Sequence, residues 1–101
     1  MTIGGLSHLT FIVSDLARST RLWLEGLGAT EVYHSGADTY SLSAEKFFVL
    51  GGVWVATMQG EAGERWYRHV AFQADAAEIP GYDQKLRASG VEIRPARHAD
   101  R

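Results

Sequence analysis

A short pattern near the amino terminus of this chain returns once in its second half. The segment His8-Leu9-Thr10-Phe11 aligns with His69-Val70-Ala71-Phe72, 61 residues further on, and Gly28 aligns with Gly90 at nearly the same spacing. Each copy predicts the order strand, helix, glycine, strand, and a repeated order of this kind is typical of two related structural units. The repeat therefore predicts an α+β protein built from paired modules.

The first copy predicts one strand, one helix and a series of further strands. Residues 7–13 are rich in β-forming side chains, and Ser14 is a candidate cap for the helix that follows, with Asp15 at the positive end of its dipole. The helix is expected to run to about Leu27, because Gly28 is a common helix stop. Further strands are predicted at 30–35, 39–43, 46–50 and 53–58.

The second copy follows a polar, glycine-containing stretch at 59–66, which is predicted to be a linker. A strand is predicted at 67–74, then a helix after a cap at Asp75, and another strand at 91–93. A complete second copy would need roughly 25 more residues. The predicted organisation is a single domain, with a first βαβββ module over 1–58, the linker over 59–66, and an incomplete second module over 67–101.

Composition excludes several classes of function. The chain of 101 residues has 10 Lys and Arg against 12 Asp and Glu, so it lacks the large basic surface of a nucleic-acid-binding protein. The absence of cysteine excludes disulfides, thiolate zinc sites and thiol nucleophiles. No apolar run approaches the roughly 20 residues of a membrane span, and no secretion signal is visible at the amino terminus. We expect a cytoplasmic protein without nucleic-acid or membrane partners.

Two histidines occupy equivalent positions in the two copies. Because side chains alternate along a strand, His8 and Thr10 share one face of the first strand, and the opposite face packs on the helix. His69 has the same position in the second copy, so pairing of the copies would let the two imidazoles converge on a divalent metal. The alternative is two separate histidines, each in its own polar surroundings.

Other residues are candidates for chemistry on weaker grounds. Glu45 lies in an otherwise apolar stretch and shares a face with Phe47, so it is a candidate general base for water. The alternative for Glu45 is a charge in solvent at a hairpin corner. Arg94 is a candidate for binding an anionic group, or else a solvated charge. Trp54 and Tyr67 are expected either in the core or on the lining of a cup.

Three blocks of sequence, over residues 5–13, 41–48 and 64–72, resemble the FosX-type fosfomycin hydrolases of the vicinal oxygen chelate superfamily. The blocks read GLSHLTFIV, SLSAEKFF and ERWYRHVAF, and the resemblance covers nearly the whole chain. It implies paired βαβββ modules that form a metal cup, usually in a homodimer that exchanges modules. It also implies a metal-dependent hydrolase that adds water to the epoxide of fosfomycin, a small phosphonate.

The resemblance also implies roles for individual residues. His8 and His69 match the two histidine ligands of a divalent metal, expected to be Mn²⁺, and the third ligand, a glutamate, is expected beyond Arg101. Glu45 matches the general base. The matching substrate-binding positions are Thr10, Trp54, Tyr67 and Arg94. The alternatives are another enzyme of the superfamily, of the thiol transferase, glyoxalase or dioxygenase type, and a form without a competent site or a non-catalytic binding module.

Overall fold

The computed structural model describes residues 2–35, 44–61 and 70–94. The helices and strands are β1 (His8–Val13), α1 (Leu16–Arg21), β2 (Thr30–His34), β3 (Glu45–Leu50), β4 (Val53–Gln59) and α2 (Ile79–Ala88). A π-helical turn, Leu22–Gly26, directly continues α1 and is named the π turn. A 3₁₀ turn, Ala76–Glu78, directly precedes α2.

The four strands form one mixed sheet in the order β1-β4-β3-β2. Strand β1 pairs in parallel with β4, whereas the β3–β4 and β2–β3 pairs are antiparallel. The parallel pair is possible because α1 and two strands separate β1 from β4 along the chain, which provides the long connection that parallel strands need. The first copy of the repeat is thus a βαβββ module, as the sequence predicts.

The start of α1 differs in one detail from the prediction. Asp15, rather than Ser14, is the N-cap residue, and its side chain accepts a hydrogen bond from the backbone N–H of Arg18 at 3.0 Å. The extended backbone of Asp15, with φ −136° and ψ 97°, lets its carboxylate reach the N–H group three residues further on. Gly28, at φ +72°, allows the turn into β2.

The hydrophobic core lies between the sheet and the helical segment that follows β1. Trp23 of the π turn packs there against Phe48 of β3, with ring centroids 6.3 Å apart, and against Phe11 of β1 at 5.8 Å. Phe48 and Val55 are completely buried. Because these side chains occupy one face of the sheet, alternation turns the neighbouring residues of the same strands to the opposite face.

The second copy of the repeat forms its helix but not the predicted strands within the described residues. Residues 70–74 and 91–93 lack strand pairing, so the predictions of strands at 67–74 and 91–93 are wrong for these residues. A strand needs a neighbour to accept its backbone hydrogen bonds, and the sheet of the described residues consists of the first module's four strands alone. The predicted strand at 39–43 and the part of the linker at 62–66 lie outside the described residues.

Helix α2 packs on the π turn through a close approach at Gly26. A Cβ atom at this position would stand 2.9 Å from Cδ2 of Leu86 and 3.0 Å from Oγ of Ser89. The missing side chain of Gly26 therefore lets α2 lie directly against the π turn. Within the described ranges, neither helix is long and apolar enough to cross a membrane.

Candidate functional site

The face of the sheet opposite the core carries the candidate site. Along β1, His8, Thr10 and Ile12 are exposed, whereas the residues between them are partly buried. Strand β4 lies between β1 and β3 and pairs with both. Its Trp54 lies opposite His8 of β1, and its Met58 lies opposite Glu45 of β3. Alternation predicts this arrangement of β1 from the sequence, and the structure confirms it.

A cavity of about 350 Å³ opens on this face. This volume is at the lower end of the range that small-molecule sites occupy, roughly 300–1,000 Å³. Most of its lining surface is apolar, interrupted by an imidazole, a carboxylate and hydroxyl groups. The lining residues are Ser7, His8, Thr10, Glu45, Phe47, Trp54, Ala56 and Met58.

His8 is the first residue of β1 and lines the cavity. Its ring atom Nδ1 lies 3.2 Å from the hydroxyl oxygen of Ser7. When Nδ1–H donates to that oxygen, Nε2 carries the lone pair that a metal ion needs. A serine beside the histidine thus provides a way to orient the imidazole for a ligand.

Glu45 is the first residue of β3 and is 8% exposed, although it carries a charge. Its side chain lines the same cavity as His8. The alternative of a solvated charge at a hairpin corner is therefore wrong. The strand begins one residue earlier than the predicted start at 46, and this extra residue brings the carboxylate onto the sheet face.

Aromatic rings form one wall of the cavity. The rings of Phe47 and Trp54 meet nearly edge to face, with centroids 6.4 Å apart. The ring centroid of Tyr33 lies 5.1 Å from that of Phe47. Trp54 is 47% exposed, so it is a lining residue rather than a core residue. Sequence reasoning did not assign Phe47 to the site, although alternation along β3 already places it on the face of Glu45.

Some of the predicted site residues share one cavity and others do not. His8, Thr10, Glu45 and Trp54 line one cavity. Arg94 does not belong to its lining; the side chain is exposed and its Nε lies 3.2 Å from a carboxylate oxygen of Glu92. His69 and Tyr67 lie outside the described residues.

Among the described residues, the cavity lining includes two side chains of the kinds that bind divalent metals, those of His8 and Glu45. An imidazole on a cavity wall suits first-row divalent ions such as Mn²⁺, and carboxylate oxygens suit them as well. No group of three histidine, cysteine, aspartate or glutamate side chains converges among residues 2–35, 44–61 and 70–94. His8 therefore fits as one ligand, and a complete set requires groups from outside these ranges.

The fold places this chain in the vicinal oxygen chelate class, because solved FosX structures, which have that fold, superpose on it. A FosX variant from Listeria monocytogenes, complexed with Mn(II) and 1S,2S-dihydroxypropylphosphonic acid, has a TM-score of 0.81 at 44% identity. The match covers 96% of this chain and 75% of that chain. No protein-family model matches the sequence.

Curated relatives define the family more narrowly. The fosfomycin resistance protein FosX of Mesorhizobium japonicum is 52% identical over 94% of this chain and 69% of its own length. FosX of Listeria innocua is 48% identical, again over 94% of this chain and 72% of its own length. The chain belongs to the FosX family of fosfomycin resistance proteins. The metallothiol transferase FosB of Staphylococcus haemolyticus is more distant, at 28% identity.

Proposed function

We propose that this protein inactivates fosfomycin by adding water to its epoxide ring. The observation that carries the proposal is the buried carboxylate of Glu45 in the same cavity as His8. The related FosX structure holds a dihydroxypropylphosphonic acid, and a vicinal diol is what addition of water to a phosphonate epoxide produces. A cavity of about 350 Å³ suits a molecule of this size.

Glu45 is the general base in this proposal. It lies on β3, two strands away from His8 on β1, and both side chains line the cavity on the open face of the sheet. A substrate bound in this cavity lies over β4, with Glu45 on one side and His8 on the other. Glu45 takes a proton from water while the water oxygen forms a bond to an epoxide carbon. The ring C–O bond breaks, and the epoxide oxygen ends as the second hydroxyl of the diol after it gains a proton.

The other lining residues hold the substrate. Thr10 stands midway along β1, on the face of His8, where its hydroxyl is available to hydrogen-bond an oxygen of the substrate. Trp54 and Phe47 cover the apolar carbon end and reduce its contact with water. We assign Tyr67 to the same cup by its matching position in the family. Arg94 is outside the cavity lining of the described residues, and we assign it to the phosphonate on its family position alone.

His8 and His69 are the proposed protein ligands of a divalent metal, together with a glutamate outside this sequence. The FosX structures complexed with Mn(II) support Mn²⁺ as that metal. When bound, it supplies Lewis-acid polarisation of the substrate oxygens. His8 would be held for this purpose by Ser7, whose hydroxyl fixes the ring nitrogen that faces away from the metal.

We further propose that the protein works as a homodimer in the cytoplasm, on a small molecule rather than on nucleic acid or a membrane. Val70, Phe72 and Ile79 expose 41%, 41% and 52% of their surface, respectively, and a second copy would cover such apolar groups. The proposed module boundaries are 1–58, 59–66 and 67–101, although Gln59 of the linker range completes β4 of the first module. The lack of cysteine fits a reducing compartment.

Replacement of the base tests the proposed reaction. Glu45→Gln keeps the shape of the side chain but removes its basicity, so we expect formation of the diol to fall by about 10²- to 10⁴-fold. Mn²⁺ binding should persist in this variant. The control is Glu25→Gln, since Glu25 lies exposed on the π turn in a pair with Arg21, away from the cavity.

Two results would overturn the assignment. Unchanged diol formation by Glu45→Gln would show that Glu45 is not the base. An assay with fosfomycin and added glutathione, analysed by mass spectrometry, separates water addition from thiol transfer. A thiol adduct in place of the diol would identify the chain as a transferase.

A further inference from the structure

The amino end of β3 is attached to the end of β2 through a serine hydroxyl. The backbone N–H of Glu45 donates to Oγ of Ser35 at 3.0 Å, and the N–H of Ser35 donates to the backbone oxygen of Glu45 at 3.0 Å. In a regular hydrogen-bonded pair of antiparallel strands, both bonds join main-chain groups. The Ser35 hydroxyl therefore stands where the carbonyl of Ser35 would accept a bond in a continued ladder.

The other side of β3 is held by β4. The N–H of Gln59 donates to the oxygen of Ala44 at 2.8 Å, and Glu45 is paired in register with Met58. Glu45 is thus the first residue of β3 and has neighbours on both sides. On the β2 side, its N–H is held by a single side-chain oxygen. Terminal residues of a strand open more readily than interior ones. The bond to the Ser35 hydroxyl therefore limits opening of β3 at Glu45.

We propose that Ser35 is a positioning residue for Glu45 and that its hydroxyl fixes the carboxylate toward the cavity. The inference rests on the proposed function, because it assigns Ser35 a role through the general base. Ser35 itself does not line the cavity. A general base must lie within hydrogen-bond reach of the water that it deprotonates. A displacement of about 1 Å from that position can cost on the order of 100-fold in rate.

Three variants test this role. Ser35→Ala removes the hydroxyl and keeps the backbone bond between the two strands. Ser35→Thr retains a hydroxyl on a residue that suits strands. Ser89→Ala is the matched control, because Ser89 is 5% exposed and its hydroxyl also makes one bond to a backbone group, the oxygen of Leu86 at 2.8 Å, outside the cavity lining.

Two measurements are made on each variant of the full chain. The first is amide hydrogen exchange at Glu45 by NMR, which reports the bond to the hydroxyl without any need for turnover. The second is the kinetics of diol formation from fosfomycin in the presence of Mn²⁺. For Ser35→Ala, we expect faster exchange at Glu45 and a kcat lower by about 10- to 100-fold, with KM nearly unchanged. Ser35→Thr should restore both, and Ser89→Ala should change neither.

Each contrary result has a distinct meaning. Exchange at Glu45 that is no faster in Ser35→Ala overturns the positioning role, even if the chain shows no turnover. Faster exchange with an unchanged kcat overturns it as well. An equal loss of kcat in Ser89→Ala would assign the effect to general destabilisation. Absence of diol formation in the unmodified chain would contradict the proposed function instead.

Discussion

His8 and Trp54 lie directly opposite each other on the parallel strands β1 and β4, and both line the cavity on the open face of the sheet. Neighbouring strands are only about 4.8 Å apart, so the imidazole and the indole belong to one stretch of cavity wall. Trp54 is also 47% exposed. A metal ion bound by His8 would therefore lie near Trp54, and a change in the fluorescence of Trp54 would detect the binding.

Manganese binding at His8 should quench the fluorescence of Trp54. Mn²⁺ is paramagnetic and quenches nearby indoles, whereas Mg²⁺ at the same site is the matched diamagnetic control. We expect titration with Mn²⁺ to lower the emission of the unmodified chain more than that of Trp54→Phe, and His8→Ala to abolish the difference. Equal quenching in the unmodified chain and Trp54→Phe would place the metal away from this wall.

The adjacent residues Phe47 and Phe48 should separate function from stability. Phe48 is completely buried, so Phe48→Ala should lower the free energy of unfolding by about 3–5 kcal/mol. Phe47 is only partly buried and lines the cavity, so Phe47→Ala should cost roughly 1 kcal/mol and raise KM for fosfomycin. Urea unfolding and steady-state kinetics measure the two effects. Similar unfolding losses in the two variants would contradict the assigned faces.

Gln59 ties the end of β4 to the start of α1. Its Oε1 accepts from the N–H of Leu16 at 2.9 Å, and its amide nitrogen donates to the oxygen of Ser14. Gln59→Leu would remove both partners, and we expect a loss of about 1–3 kcal/mol in the free energy of unfolding by urea. The control Gln84→Leu, on the exposed side of α2, should change it by less than about 0.5 kcal/mol. Equal effects would disprove the role of Gln59.

The cap of α1 is a further point for mutation. Asp15→Ala removes the acceptor of the Arg18 N–H bond and should cost about 1 kcal/mol, whereas Asp15→Asn retains an acceptor and should cost less. Ser14→Ala is expected to be nearly neutral because its side chain is not the cap. Thermal unfolding at one pH compares the three variants. A larger loss of thermal stability from Ser14→Ala than from Asp15→Ala would show that Ser14 is the cap, as the sequence predicted.

The sequence predicted the parts of the site that depend on local periodicity. Alternation along β1 places His8 and Thr10 together, and alternation along β3 places Glu45 with Phe47, because side chains reverse direction at each residue. The predictions of strands at 67–74 and 91–93 were wrong for the described residues, 70–74 and 91–93. Their β-forming composition reports a local preference, whereas a strand also requires a neighbour, and this depends on the rest of the fold.

The repeat, the βαβββ order of the first module and the face on which each strand residue lies could be predicted from the sequence, because they follow from neighbours in the chain. Only the folded chain shows that Glu45 is buried, that Ser35 binds its backbone N–H, and that Gln59 contacts Leu16, 43 positions away in sequence. These contacts join residues whose separation carries no periodic signal. Burial of a charge depends on what the assembled sheet places around it, so the cavity that His8 and Glu45 share becomes visible only after folding.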